Sequence, residues 1–60
     1  MIFIKLINDA EFIFDEEDIL DVKGENAHII ISVASNHYSV VCETKYFFEI
    51  NDIKIYQIKE

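Results

Sequence analysis

The stretch that most constrains this chain is Ala27–Thr44, AHIIISVASNHYSVVCET. Ile29, Ile30 and Ile31 are followed by Val33, and after a polar break come Tyr38, Val40 and Val41. β-Branched and aromatic side chains suit a pleated, half-buried surface and lose rotamer freedom in a helix. The two runs therefore read as the strands of one β-hairpin, the spine of a small all-β domain. Asn36-His37 can serve as its two-residue turn, since Asn accepts positive φ more readily than most residues. With that turn Val33 faces Val40, Ile31 faces Cys42 and Ile29 faces Thr44, which makes one buried face. His28, Ile30, Ser32, Ser39, Val41 and Glu43 take the other, and a one-residue slip would mix the two.

The flanking segments extend the pattern. Met1–Ile7 alternates as a strand, with Ile2, Ile4 and Leu6 on one face. A turn at Asn8, Asp9 and Ala10 returns it along Glu11–Asp15, aligning Leu6 with Phe12 and Ile4 with Phe14. Asp15 is placed to N-cap a short helix over Glu16–Val22, but Ile19–Lys23 also reads as a strand. The strand is preferred because Lys23-Gly24-Glu25-Asn26 looks like a turn leading into the spine. Gly24, the only glycine, would supply its positive φ. Lys45–Ile50 and Ile53–Lys59 then form a last hairpin about Asn51-Asp52. It pairs Ile50 with Ile53, Glu49 with Lys54, Phe48 with Ile55 and Phe47 with Tyr56. That hairpin requires a corner or bulge at Glu43-Thr44-Lys45.

The expected fold is thus a single domain over residues 1–60, a small antiparallel meander of five to seven short strands, as a curved sheet or open barrel, with at most one short helix. The expected core is Ile4, Leu6, Phe12, Phe14, Ile31, Val33, Phe48 and Ile55. That leaves Phe3, Ile7, Ile13, Ile30, Val41, Phe47, Tyr56 and Ile58 on a second face that a single sheet cannot cover.

Size sharpens this problem. A domain of 60 residues buries only about 60% of its unfolded surface and is marginal alone. One cysteine cannot form an intramolecular disulfide, and no His/Cys cluster suggests structural zinc. Cys42 reads as a small buried hydrophobe rather than a reactive thiol. With 52% hydrophobic residues, the chain is expected to hide surface in a homodimer, through its second face or an edge strand. Met1–Ile7 lacks a basic leader and a cleavage site, and no apolar run approaches the length of a membrane helix. The expectation is a soluble, cytoplasmic protein with no membrane partner. Twelve isoleucines with no Arg, Pro or Trp point to an AT-rich bacterial or viral genome.

Charge is uneven. Residues 1–30 hold eight acids and two lysines, a net of −6; residues 31–60 hold four acids and three lysines, a net of −1. Asp15, Glu16, Glu17 and Asp18, with Asp21 and Glu25, are the candidate partner-binding residues. As a solvated loop they would only keep an apolar protein soluble. As a docking surface they would present carboxylates to a basic partner, standing in for nucleic-acid phosphates. The alternating spacing of a calcium loop is missing, so no metal is expected. A net charge of −7 with five scattered lysines argues against direct nucleic-acid binding.

No catalytic signature is present. His28 and His37 lie nine residues apart, and no third group orients either one toward Cys42. The expectation is a protein that is not an enzyme and carries no cofactor. In size, acidity and apolar content the chain resembles small phage-encoded inhibitors, a resemblance of character without a shared motif. It implies a module that binds and blocks a host protein, such as a nucleic-acid-binding or defence enzyme. The alternatives are a small-molecule-sequestering dimer with a pocket lined by Tyr38, Tyr46 and His37, and a structural or assembly subunit.

Overall fold

The computed structural model describes residues 1–37 and 39–59, with the backbone alone at 36 and 37. Six strands run in the order β1 (Ile2–Leu6), β2 (Glu11–Phe14), β3 (Ile19–Glu25), β4 (His28–His37), β5 (Val40–Glu49) and β6 (Ile53–Ile58). They form two antiparallel three-stranded sheets, ordered β2-β1-β6 and β3-β4-β5. The all-β expectation holds. The only helical segment among the described residues is a 3-10 turn at Ile50–Asp52, and residues 16–18 form a turn.

The inner faces of the two sheets share one core. Ile2, Ile4 and Phe14 of the first meet Ile31 and Phe48 of the second. Ile4 and Ile31 are fully buried, and each such side chain contributes about 1.5–3 kcal/mol relative to exposure. Phe14 packs edge-on to both Tyr46 and Phe48, tying β2 to β5.

The first hairpin pairs Ile4 with Phe12 and Ile2 with Phe14, two residues from the expected register. The connection, residues 7–10, is longer than three residues, and within it Asp9 takes a positive φ of 69°. The Ala10 N–H also donates to Asn8 Oδ1 at 3.0 Å. An even slip leaves every side chain on its expected face.

The spine hairpin slips by four. His37 pairs with Val40, so Asn36 and His37 stay in β4; Tyr38, expected in the returning strand, lies outside the described residues. Ile31 faces Tyr46, Val33 faces Thr44 and Ile29 faces Phe48. β5 runs unbroken through Glu43, Thr44 and Lys45, with no corner there.

The expected last hairpin does not form. β6 crosses to β1, pairing Ile2 with Ile58 and Ile4 with Tyr56. Pairing it with β5 would have left β1–β2 as an isolated two-stranded hairpin, which is marginal in water. A register shift between Lys5 and Leu6 sets Ile53 beside Leu6 on the inner face and Ile55 beside Lys5. Hence Ile53 packs on the core, and Ile55, expected there, is exposed.

β3 forms as preferred, but Gly24 lies within it opposite Ile29, and its φ is not positive. The turn into β4 is Asn26-Ala27, with φ of 50° and 62°, the signature of a type I′ turn.

Candidate protein-interaction surface

The acidic residues do not converge. Asp15–Asp18 form an exposed turn between the two sheets, closed by the Asp18 N–H donating to the Asp15 carbonyl at 3.0 Å. The Asp18 carbonyl accepts from the Ala34 N–H at 2.8 Å, which anchors the turn to β4. Glu16 is paired with the Met1 amino group at 2.8 Å. Asp21 follows along β3, exposed on the outer face opposite Ser32. Glu25 stands at the far end of β3, beside Lys23 at 3.5 Å. At about 3.3 Å per residue, that strand puts roughly 20 Å between Glu25 and the turn. The structure therefore offers a four-carboxylate turn with Asp21 nearby, while Glu25 belongs to another region.

That other region is the outer face of the second sheet. Glu25, Asn26, His28, Ile30 and Phe47 line an open groove of about 410 Å³. His28 contacts the Asn26 carbonyl through Nδ1 at 2.8 Å and approaches Glu49 through Nε2 at 3.7 Å. Phe47 is 65% exposed while its neighbour Phe48 is 6% exposed, the strand alternation seen at its sharpest.

β4 and β5 outrun β3. On that side β4 is last held by the Ala34–Asp18 bond, so residues 35–37 and 40–42 project as a two-stranded arm. The arm explains Cys42, which is exposed, not buried as expected. On the arm the inner face has left the core, so Val40 and Cys42 have no layer beneath them. Thr44, expected on the buried face, is exposed as well. The proposed pocket of Tyr38, Tyr46 and His37 lies mostly outside the described residues. Tyr46 itself packs against Phe14 in the core region.

Among the described residues, no three His, Cys, Asp or Glu side chains are grouped to hold a metal ion. No helix there is long and apolar enough to cross a membrane. Sequence reasoning missed the open edge of β5, because it had placed β6 alongside that strand.

Comparison with protein-family models, with curated proteins and with solved structures finds no match to this chain.

Proposed function

We propose that this chain is a small acidic protein-interaction module without catalytic activity, which acts by occupying a larger protein. The target class that best fits is a host nucleic-acid-binding or defence enzyme, met in the host cytoplasm as it would be by a phage-type inhibitor. The working unit is a homodimer. One observation carries the reading: the large apolar side chains are spread over the outside as much as the inside. The described residues include twelve exposed ones, among them Ile13, Val41, Phe47 and Ile58, against five buried in the core and six half-buried against it. Apolar surface of that extent is stable in water when it is contact surface. The Asp15–Asp18 turn supplies the complementary charge for a basic partner and speeds the encounter.

The test is a pull-down from lysate with a C-terminal tag, which leaves the Met1–Glu16 pair intact, washed at low and then high salt. A single stoichiometric partner released by salt, and lost in D15K/E16K/E17K/D18K, supports the acidic turn as the contact. A partner that resists salt moves the contact to the apolar faces. A folded protein that captures nothing refutes the blocking role.

A second reading is favoured by the groove beside Phe47 and His28: a small molecule held on the outer sheet face. Native mass spectrometry of the purified protein would detect such a retained ligand.

A further inference from the structure

β5 is an open edge ten residues long, with neither Pro nor Gly to interrupt it. Among the described residues it pairs with β4 alone. The phase of its backbone follows from one bond. The Ile50 N–H donates to the Ala27 carbonyl at 2.9 Å, so 27 and 50 form a hydrogen-bonded pair. By alternation the even-numbered residues of β5 bond β4. Val41, Glu43, Lys45 and Phe47 aim their N–H and C=O groups away from the sheet. The bond from the Ala34 N–H to Asp18, on the opposite side of β4, has the phase this requires. Unpaired groups along such an edge are a template for another strand.

We propose that β5 pairs antiparallel with β5 of a second copy, about a twofold axis at Thr44, joining two three-stranded sheets into one. The sequence about Thr44 is complementary to itself. Glu43 meets the partner's Lys45, and Lys45 meets the partner's Glu43. Val41 meets the partner's Phe47, and Phe47 meets the partner's Val41. These four pairs are the hydrogen-bonded ones, about eight backbone bonds in all. Within its own chain neither Glu43 nor Lys45 is ion-paired among the described residues, and both are exposed.

Charge selects the register. An axis at Glu43 sets Glu against Glu, and one at Lys45 sets Lys against Lys. An axis at Cys42 leaves Glu43 facing Val41. An axis at Tyr46 leaves Lys45 facing Phe47 and brings Glu43 to Glu49. Only the axis at Thr44 satisfies both charges and both apolar pairs.

The same axis gives the overhanging arm a purpose. It sets Val40 beside the partner's Phe48 and Cys42 beside the partner's Tyr46, at the end of β5 that is backed by the first sheet through its aromatic contacts. Val40 and Val41, 59% and 69% exposed in the single chain, are covered. This assignment rests on reading the exposed apolar surface as contact surface, and it names which part the second copy takes.

The experiment combines sedimentation equilibrium of the full chain with a cross-link. E43K and K45E each weaken dimerisation by about tenfold or more, and E43K/K45E, which exchanges the charges, restores it to within about threefold. In a C42A background, T44C gives a disulfide-linked dimer under mild oxidation. Thr44 would face its counterpart in a non-hydrogen-bonded pair, with Cα atoms about 4.5 Å apart, inside disulfide range. A dimer indifferent to charge reversal, a double variant that is not rescued, or a T44C chain that fails to cross-link would each overturn the pairing. So would a folded chain that stays monomeric. Capture of a target by such a monomer would leave the blocking role standing; a cross-linked dimer that captures nothing would sink that role and leave the pairing intact.

Discussion

Phe12 stands edge-on to Phe48, their ring centroids 5.1 Å apart at an interplanar angle of 68°. One ring comes from β2 and the other from β5, so this contact joins those of Phe14 in fastening the first sheet to the second. Edge-to-face geometry sets the positive rim of one ring on the negative face of the other, worth about 0.5–1.5 kcal/mol beyond area burial. F48A removes that contact together with those to Phe14 and Tyr46. It is expected to destabilise the fold by about 3–5 kcal/mol. F47A, one residue away on the outer face, should change the stability of the single chain, measured at concentrations too low for dimerisation, by no more than about 0.5 kcal/mol. Urea unfolding of both variants checks the alternation. Equal losses would mean that the strand faces are assigned wrongly.

Ala27 holds φ at 62°. A side chain in that region is disfavoured by about 1–2 kcal/mol, whereas glycine has no such penalty. A27G is expected to stabilise the protein by roughly 0.5–1 kcal/mol after its greater unfolded-state entropy is counted. Three residues earlier the opposite change helps. A Cβ at Gly24 would meet only the His28 carbonyl, at 3.9 Å, and the backbone there is not left-handed. G24A should add about 0.4–1 kcal/mol. A thermal melt of the double variant G24A/A27G should show both gains. A lower midpoint for G24A would place strain in β3 that its backbone does not display.

Neutralising the acidic turn tests whether it is structural. D15N/E16Q/E17Q/D18N removes one exposed ion pair, that of Glu16 with Met1, worth at most about 1 kcal/mol. It also removes four adjacent like charges. Chemical unfolding should therefore show a change within about 1 kcal/mol of the parent. The turn's own frame is backbone hydrogen bonding, which the substitutions leave in place. Loss of folding would make the turn part of the scaffold and end its candidacy as a free docking surface.

Salt should stabilise the fold. The chain carries a net charge of −7 at pH 7, and Asp15, Glu16, Glu17, Asp18, Asp21 and Glu25 are all exposed. Screening shortens the Debye length from about 30 Å at 0.01 M to about 8 Å at 0.15 M and weakens their mutual repulsion. The thermal midpoint, followed by circular dichroism, should rise with sodium chloride over that range. A fall would mean that the exposed pairs of Asp9 with Lys5 and Lys54 outweigh the repulsion.

What was legible in the sequence was what is local. Which residues form strands, and which of their faces are apolar, followed from Ile2/Ile4, Phe12/Phe14 and Ile29/Ile31, because side-chain alternation survives any even slip in register. Turn position was less legible. Asn36-His37 carried a turn signal, yet those residues pair in β4, because extending the hairpin adds ladder pairs at Asn36–Val41 and His37–Val40. Long-range pairing was not legible at all. Phe48/Ile55 and Glu49/Lys54 made a good local match, and nothing in the sequence near β6 announces that β1, some fifty residues away, would take it. The acidic turn was found where expected, but its separation from Glu25 depends on β3 being straight. The open edge of β5 became visible only once β6 had left it.

That departure of β6 also orders the events of folding. β3, β4 and β5 follow one another in the chain with two residues between successive strands, so the second sheet can assemble from contacts close in sequence. The first sheet is different, since β1 is its middle strand and one neighbour is β6, the last of the six strands described. Closing that long loop is the slow, entropically expensive step in such a topology. During synthesis the β1–β2 hairpin must wait, half-partnered, until β6 emerges. The charged turn that follows β2 then stands beside the segment most exposed to misassociation while it waits.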